Sequence, residues 1–354
     1  MILQRTVPQR IAIFRALQLG DLLCAVPALR ALRSAFPHGQ IVLIGLSSAA
    51  QLVRRFSHLL DGFIEFPGYP GLPESRPRLH LFPDFLSEIQ GTAFDYVIQM
   101  HGDGTITNPL VTLFGAKLTA GFFRPGSFCP NEQSFMPYPS GESEIRVLIK
   151  LMEFFGAPAK GEHLEFPLTN SDFMELLAND GSETFQSKYV CIHPGARLPS
   201  RRWNIGSFAA VGDMLASQGF RIVLTGSQEE APLTREVACA MRYDSLDLGG
   251  RTSLGSLAAL ISKAHLVVCN DTGTSHIAAA LDVPSVVIAC GSDVVRWAPL
   301  NRSLHRVLSR PMSCRPCQYF DCPLDNHPCA NSITIDDVIT EGKDLLKAGR
   351  AASV

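Results

Sequence analysis

A cluster of polar residues follows an apolar run in the second half of the sequence, within the stretch VVCNDTGTSHIAAAL. Asn270, Asp271 and Thr272 come first, Gly273 follows, and His276 lies three residues further on. One capping residue is enough to begin a helix, so a cap explains Asp271 or Thr272 but not the whole set. Free N–H groups at a helix start attract anions, and the side chains of Thr272 and His276 add donors. The turn therefore predicts a diphosphate site.

A second cluster, HPGARLPSRRW at residues 193–203, also comes directly after an apolar run. His193 and Gly195 belong to a turn whose backbone can approach a ligand closely, because glycine has no side chain. Arg201 and Arg202 supply fixed cations that suit phosphate oxygens. The alternative is a surface loop with two solvated arginines.

Two adjacent acids, Glu229 and Glu230, follow the apolar run RIVLTG. A pair of carboxylates at a helix start usually compensates the helix dipole. The same pair is also suited to hold the vicinal hydroxyls of a ribose, and the sequence leaves both interpretations open.

Near the amino terminus, the stretch LQLGDLLCAVPAL contains one charged residue before Arg30, which is Asp21. Gly20 permits a tight turn ahead of it. One interpretation is a helix N-cap. The other is a carboxylate at an interdomain cleft that acts as a general base. The stretch has no G-x-G-x-x-G fingerprint of dinucleotide-binding proteins.

Four cysteines lie within sixteen residues, in CRPCQYFDCPLDNHPC, at Cys314, Cys317, Cys322 and Cys329. This density and the opening C-x2-C are typical of metal sites, although the later spacing is not that of a standard zinc finger. A structural zinc or iron–sulfur site, disulfides, and free thiols in a compact loop all remain open. The chain has no D-x-D carboxylate pair, a common Mg²⁺ site.

The elements that must position these residues alternate between apolar runs and amphipathic stretches, which is typical of parallel α/β layers. The predicted strands are RIAIF, QIVLIGL, GFIEF, DYVIQM, GAKLTAGFF, YVCIHPG, RIVLTG, HLVVCND and SVVIACG. The predicted helices cover residues 22–35, 49–56, 142–155, 205–218, 231–240, 253–263, 274–281 and 335–347. Each polar cluster follows a predicted strand, and ligands of open α/β sheets bind at this edge.

Length and composition set the outer limits. A chain of 354 residues with 46% apolar residues suits two domains. The pattern breaks between about residues 158 and 188, so we divide the chain into domains 1–170 and 171–354. A long loop is expected from 67 to 83.

The net charge of −2 argues against nucleic acid as a partner. The first 60 residues are locally basic, with seven arginines and one acid, which suits either solvated surfaces or an acidic partner. No secretory signal and no membrane-spanning apolar run are visible, and the scattered cysteines fit a reducing cytoplasm.

Taken in order, these motifs closely resemble glycosyltransferase family 9, the ADP-heptose:lipopolysaccharide heptosyltransferases. The resemblance covers about residues 10–345. It rests on these motifs in order: GD followed by PALRALRSAFP, HPGA and SRRW, LTGSQEE, the stretch from LGGRTSLG to HIAAAL, and CGSDVVRWAP. It implies a GT-B fold, in which two Rossmann-like domains face a cleft and the last helix usually returns to the first domain.

The resemblance also implies roles for individual residues. Asp21 matches the catalytic base, and Glu230, or Glu229 with a shifted gap, matches the acid that binds the ribose. Arg201 stands where the family has a lysine for the donor phosphates. Donor binding is then expected from a set of residues along the second domain: His193, Gly195, Arg201, Glu230, Asp271, Thr272, Gly273 and His276. Many members carry a similar cysteine cluster, and the resemblance implies that catalysis requires no metal or other cofactor.

The sequence therefore predicts an inverting glycosyltransferase that moves a heptose or related sugar from an ADP-sugar to a lipid-linked, lipopolysaccharide-type saccharide. Gly20, Arg30 and Arg33 are candidates for acceptor binding. The enzyme would be cytoplasmic, attached peripherally to the inner face of the inner membrane. Two alternatives are a nucleotide-sugar enzyme of the same shape, such as an epimerase, and a module that binds an ADP-sugar without turnover.

Overall fold

The computed structural model describes residues 9–180 and 187–351 of the chain. It divides into two compact units, Met1–Leu164 and Glu165–Val354. Each unit is built around a parallel six-stranded sheet.

The first sheet has the strand order β3-β2-β1-β4-β5-β6, and every neighbouring pair is parallel. This is the strand order of the Rossmann fold. Its strands are β1 (Arg10–Phe14), β2 (Gln40–Gly45), β3 (Gly62–Glu65), β4 (Tyr96–Gln99), β5 (Leu118–Phe123) and β6 (Phe135–Pro137).

The second sheet has the order β12-β11-β10-β7-β8-β9 and is also parallel throughout. Counted from β7 as its first strand, it repeats the Rossmann order of the first sheet. Its strands are β7 (Tyr189–His193), β8 (Arg221–Leu224), β9 (Ser245–Asp247), β10 (Leu266–Asn270), β11 (Ser285–Ile288) and β12 (His305–Leu308).

Helices connect the strands in both units. In the first unit they are α1 (Leu19–Ala35), α2 (Ala50–Arg55), α3 (Phe82–Thr92), α4 (Thr107–Thr112) and α5 (Glu144–Phe155). In the second they are α6 (Asn170–Asp180), α7 (Ile205–Ala216), α8 (Ala231–Ala240), α9 (Leu254–Lys263), α10 (Gly273–Ala280), α11 (Val294–Trp297), α12 (Pro328–Asn331) and α13 (Ile335–Ala351).

The central strands are buried on both faces, which explains their continuous apolar sequences. In β1 every residue from Ile11 to Phe14 is fully buried, and the same holds for β7 from Val190 to Ile192. Strands of parallel sheets carry such runs because helices cover both faces. The predicted strands are therefore confirmed, with ends that differ from the observed ones by at most three residues.

Several elements were not predicted. Helix α3 follows a short 3-10 turn at the end of the expected loop, and α6 lies in the segment that the sequence suggested was irregular. Among the side chains of α6, Asp172 and Leu176 are buried, which is too few to produce a helical pattern. The short strands β6, β9 and β12 lie towards sheet edges and carry little apolar pattern.

The last helix, α13, begins as predicted after Thr334. The Asp337 N–H donates to Thr334 Oγ1 at 3.1 Å, and the Thr334 N–H donates to Asp337 Oδ2 at 2.8 Å, which is a reciprocal cap. The helix packs on the second unit against α7 and strands β10, β11 and β12. Its return to the first domain stays a prediction.

The second sheet contains a buried histidine that makes its stability depend on pH. His305 Nδ1 lies 2.9 Å from Ser285 Oγ, its register partner on β11. Burial lowers the pKa of His305 to about 4. The neighbouring His276 adds to this effect, and the negative charge of Asp282 opposes it. In the unfolded chain the pKa is near 6.5. Between these values the unfolded chain binds more protons, so acid favours unfolding.

We therefore predict that the free energy of unfolding falls by about 3 kcal/mol from pH 6.5 to pH 4 through His305 alone. His305→Gln should flatten this dependence, leaving the contribution of other groups such as His193. Urea denaturation at a series of pH values measures both slopes. Equal slopes in the two proteins would contradict the assignment.

Candidate functional site

In each unit the polar clusters lie at the point where the strand order reverses. In the first sheet this point lies between β1 and β4, and in the second between β7 and β10. At a reversal, neighbouring crossovers leave towards opposite faces, and the carboxyl ends of the two strands border a crevice. Asp21 follows β1, and the turn at Asp271 follows β10.

Asp21 is the third residue of α1, which begins at Leu19, three residues earlier than expected. Gln18 occupies the N-cap position, so the N-cap interpretation of Asp21 is wrong. The Asp21 Oδ2 atom accepts a hydrogen bond from the Gln18 N–H at 3.1 Å. Gly20 lies inside the helix rather than in a turn ahead of it. The Asp21 carboxylate thus contributes to the helix start from within the first turn.

The fully buried Arg15 fixes the backbone around Asp21. Its Nε and Nη2 atoms donate to the Asp21 carbonyl at 3.0 and 2.7 Å, and Nη1 donates to the carbonyl of Met100, which follows β4. Nη2 also forms a 3.0 Å ion pair with Glu144 on α5, and Tyr138 Oη donates to the other oxygen of Glu144 at 3.2 Å. The guanidinium therefore holds α1, β4 and α5 together.

His101, which the sequence analysis missed, lies at the same edge. Its Nδ1 atom accepts from the Ala16 N–H at 3.3 Å, and its ring stacks on Phe14 with centroids 5.5 Å apart. Its Nε2 atom lies 3.6 Å from Glu74 Oε2, and the Glu74 carbonyl accepts from Gln18 Nε2 at 3.2 Å. The polar sequence HGDG directly after β4 was the available signal.

A polar cavity of about 320 Å³ opens at the carboxyl ends of the first three strands. Its size is at the lower end of ligand pockets in general. Glu65 and Arg78 form an ion pair in its wall, and Arg76 lines it as well. The full lining is Gln18, Leu46, Ser47, Ser48, Glu65, Phe66, Glu74, Ser75, Arg76 and Arg78.

The structure does not bring Arg30 and Arg33 to Asp21. At 1.5 Å per helical residue they lie roughly 13 and 18 Å further along α1. Arg30 donates to the His163 carbonyl at 3.1 Å. Arg33 donates to the carbonyls of Leu59 and Gly39 at 3.0 and 2.7 Å, which ties the end of α1 to the loops around it.

In the second unit, His193, Gly195 and Glu230 lie together. His193 Nδ1 is 3.1 Å from Thr225 Oγ1, and Nε2 is 3.7 Å from Glu230 Oε2. Burial lowers the pKa of His193, and Glu230 opposes this effect. A Cβ atom at Gly195 would lie 2.2 Å from the Glu230 carboxyl carbon, so only glycine allows this approach.

Of the two adjacent acids, Glu230 is the one at this site. It occupies the N-cap position of α8, and its Oε2 atom accepts from the Ser227 N–H at 2.9 Å. Glu229 is fully exposed, and hydrogen bonds from its own backbone and from Ser227 lower the pKa of its carboxyl. The structure therefore favours the Glu230 alignment of the two considered.

Asn270 explains part of the polar turn after β10. Its Oδ1 atom accepts from the Trp203 N–H at 3.0 Å, and its Nδ2 atom donates to the Pro194 carbonyl at 2.8 Å. This buried amide joins β10 to the loop after β7. Asp271, Thr272 and Gly273 are partly exposed at the start of α10, where the first backbone N–H groups have no partner within the helix.

His276, one turn into α10, is buried, and its charge lowers the pKa of the neighbouring His305. A role in anion binding for His276 stays a prediction. Arg201 and Arg202 are both half-buried rather than solvated. Arg201 Nη2 donates to the Cys317 carbonyl at 3.0 Å, and Arg202 Nε donates to the Ala196 carbonyl at 2.9 Å. Within residues 9–180 and 187–351, the buried Nε of Arg201 has no hydrogen-bond partner.

The cysteine quartet consists of free thiols in the structure. Burial is the main cause that raises the pKa of the Cys329 thiol. Electrostatic interactions with Cys322, Cys314 and Cys317 raise it further, so the four side chains are close enough to interact. In the described part of the chain, however, no three His, Cys, Asp or Glu side chains are grouped so that they could hold a metal ion. A zinc or iron–sulfur site at the quartet stays a prediction.

Two Rossmann-type units with polar groups at both switch points define an α/β enzyme of the GT-B class, as predicted from the sequence. The structure of ADP-heptose LPS heptosyltransferase II from E. coli has the same fold, with a TM-score of 0.75, 17% identity, and coverage of 96% of this chain and 99% of that one.

The family model described as glycosyltransferase family 9 (heptosyltransferase) matches residues 84–327, most of the chain. The chain belongs to glycosyltransferase family 9 and is a glycosyltransferase. Lipooligosaccharide heptosyltransferase 2 of Campylobacter jejuni serotype O:6 is 22% identical over 92% of this chain and 96% of its own length. The serotype O:2 protein of the same name is 27% identical over 45% of this chain. The matched part spans about half, 51%, of that relative's length. No helix in the described ranges is long and apolar enough to cross a membrane.

The buried ion pair between Arg15 and Glu144 gives a prediction about stability. Arg15→Met leaves the Glu144 carboxylate buried without its counter-charge, which typically costs about 3–5 kcal/mol. Lys117→Met is the matched control, because Lys117 pairs with Asp95 while its own side chain is 78% exposed. Such surface pairs contribute about 0–1 kcal/mol. Urea unfolding followed by circular dichroism should separate the two variants, and equal losses would refute the structural role of Arg15.

Proposed function

We propose that the protein catalyses inverting transfer of a heptose, or a closely related sugar, from an ADP-sugar to a saccharide acceptor of the lipopolysaccharide type. The observation that carries the proposal is the placement of a base candidate, Asp21, and an anion-binding turn, Asp271–Gly273, at equivalent switch points of two Rossmann-type sheets. The curated relatives named as heptosyltransferases support the sugar, and the E. coli structure of an ADP-heptose enzyme supports the donor.

The second unit supplies the donor site in this proposal. Glu230 accepts hydrogen bonds from the ribose hydroxyls, and the absence of a side chain at Gly195 leaves room for this carboxylate. The diphosphate lies at the start of α10, where Thr272, Gly273 and the helix dipole favour negative charge. Arg201 adds a cation whose buried Nε lacks a partner among the described residues.

The first unit supplies the base and the acceptor site. Asp21 removes the proton of the acceptor hydroxyl, and the resulting oxygen attacks the anomeric carbon of the donor. The bond between that carbon and the diphosphate oxygen breaks, so the configuration inverts once. ADP leaves with its negative charge stabilised by donors already in place, which is where such sites gain most of their rate.

The polar cavity beside Gln18 is the acceptor pocket in this proposal. Its lining of serines, carboxylates and arginines is suited to a hydroxyl-rich saccharide. Arg76 and Arg78 favour an acceptor that also carries a phosphate or carboxylate. These residues replace Arg30 and Arg33, whose guanidinium groups bond to nearby backbone carbonyls. Peripheral attachment to a membrane through a lipid-linked acceptor is part of the same proposal.

Asp21→Asn tests the base directly. The amide oxygen of asparagine can still accept the Gln18 N–H, so the thermal midpoint should stay close to wild type. Transfer should fall by about 10²–10⁴, the usual loss on removing a general base. ADP binding should persist, because the donor groups are untouched. Asp84→Asn is the matched control, since Asp84 is an exposed acid in the first turn of α3.

Transfer by Asp21→Asn within about threefold of wild type would end the general-base assignment. A donor panel of ADP-, UDP- and GDP-sugars, assayed with and without acceptor, distinguishes the alternatives. An epimerase would change the donor without acceptor, and a binding module would shift its melting temperature with ADP-sugar but give no turnover.

Arg201→Ala tests the phosphate site. A charge-assisted hydrogen bond contributes about 1.5–3 kcal/mol, so ADP affinity measured by calorimetry should fall roughly tenfold to a hundredfold. Arg221→Ala is the control, because Arg221 is the first residue of β8 and so lies at the amino end of that strand, whereas the site residues follow the carboxyl ends. Unchanged ADP affinity in Arg201→Ala, with a loss in Arg202→Ala, would assign the phosphate contact to Arg202.

A further inference from the structure

The cysteine-rich segment at residues 314–329, here called the cysteine loop, lies against the segment that carries Arg201. This second segment, residues 198–203, is called the arginine loop and contains a 3-10 turn at Pro199–Arg201. The two loops are more than a hundred residues apart in the sequence, so their contact depends on the tertiary fold.

All three polar groups of Ser200 bond to the cysteine loop. The Ser200 N–H donates to the Phe320 carbonyl at 2.9 Å, and its Oγ donates to the Tyr319 carbonyl at 2.6 Å. The Ser200 carbonyl lies 2.8 Å from His327 Nε2, which must carry the proton and donate it. Ser200 is buried, so water cannot replace these hydrogen bonds if the cysteine loop moves away.

The neighbouring Arg201 is held by the same loop, since its Nη2 atom donates to the Cys317 carbonyl at 3.0 Å. This bond uses one end of the guanidinium and leaves the buried Nε without a partner in the described chain. The side chain is therefore oriented before any ligand is bound.

The cysteine loop is in turn fixed to the carboxyl end of β11. Arg315 Nη2 donates to the carbonyls of Ala289 and Cys290 at 2.7 and 2.6 Å, and Nη1 donates to the Ser292 carbonyl at 2.6 Å. The Cys317 N–H donates to the Gly291 carbonyl at 2.7 Å. A Cβ atom at Gly291 would lie 2.6 Å from Cys317 Cβ, so the contact has no spare room.

We propose that the cysteine loop is the brace that positions Arg201 for the donor diphosphate, with His327 as a positioning residue. This inference rests on the proposed function of Arg201. Backbone carbonyls, His327 and Arg315 make the bonds between the segments, so the brace requires neither a metal ion nor a disulfide at the thiols. An arginine side chain ordered in advance loses less conformational freedom when the ligand binds, and affinity rises accordingly.

His327→Asn tests the brace in reduced, full-length protein. His327 has a φ of 43°, and asparagine is among the residues that tolerate this left-handed region. The shorter side chain removes the bond to Ser200 but keeps the backbone conformation. We expect ADP affinity to fall roughly threefold to tenfold, the effect of one hydrogen bond. The KM for the ADP-sugar should rise more than kcat falls, because the lost contact acts on binding.

Ser332→Ala is the matched control. Its Oγ atom donates to the Cys329 carbonyl at 3.3 Å, so the substitution removes a bond of the same kind next to the cysteine loop that does not reach the arginine loop. It should leave ADP affinity unchanged at a similar thermal midpoint. Ser200→Ala removes the bond to Tyr319 and should weaken ADP binding in the same direction as His327→Asn.

A double-mutant cycle separates the brace from the donor site. If His327 acts through Arg201, then His327→Asn should have no further effect on ADP affinity in the Arg201→Ala protein. Full additivity of the two losses would overturn the positioning role, as would unchanged affinity in His327→Asn while Arg201→Ala weakens binding. Unchanged affinity in Arg201→Ala would instead refute the proposed phosphate site.

Discussion

The reversal of strand order in each parallel sheet is the constraint on which the rest of this protein depends. On either side of β1 and β4, and again of β7 and β10, the crossovers leave towards opposite faces of the sheet. The polar main chain at the carboxyl ends of those two strands must be satisfied by hydrogen bonds. The chain meets this demand twice with side chains that bond to the backbone, and the candidate ligand-binding groups lie directly beside them.

In the first unit a buried cation does this work. Arg15 satisfies two carbonyls and is balanced by Glu144, so a charge that would be costly to bury alone becomes a fixed point. In the second unit the neutral amide of Asn270 has the equivalent task, bonding to the backbone of Trp203 and Pro194. Both residues are buried and bond to the main chain next to the candidate site residues. They determine where Asp21 and the turn at Asp271 begin.

The structure separates two kinds of polar residue that look alike in the sequence. Arg33 donates from Nε, Nη1 and Nη2 to backbone carbonyls and holds loops in place. Arg201 donates from Nη2 to a backbone carbonyl, but its buried Nε has no partner within the described chain. Glu230 approaches Gly195 and His193, whereas its neighbour Glu229 faces solvent. The difference lies in which carbonyls and carboxylates the fold brings within 3–4 Å, and this decides which charges are available to a substrate.

The sequence by itself determined the fold class, most strands and the candidate turns, because these depend on local patterns. A strand buried on both faces must be apolar throughout, and the polar turn that follows it marks the sheet edge, as at Asp21 and Asp271. It did not reveal α6, whose buried positions are too few, or His101 and Glu74, which the loop after β3 and the end of β4 bring together.

Only the tertiary structure decided which partners each polar group has. It placed Asp21 inside the first turn of α1, because a helix start depends on backbone bonds that the residue types do not fix. In the structure, Arg30 and Arg33, the expected acceptor-binding residues, lie far from Asp21 along α1. The cysteine loop contacts Ser200, although more than a hundred residues separate them in the sequence. Local patterns record burial, whereas contacts between distant segments depend on how the sheets and loops pack together.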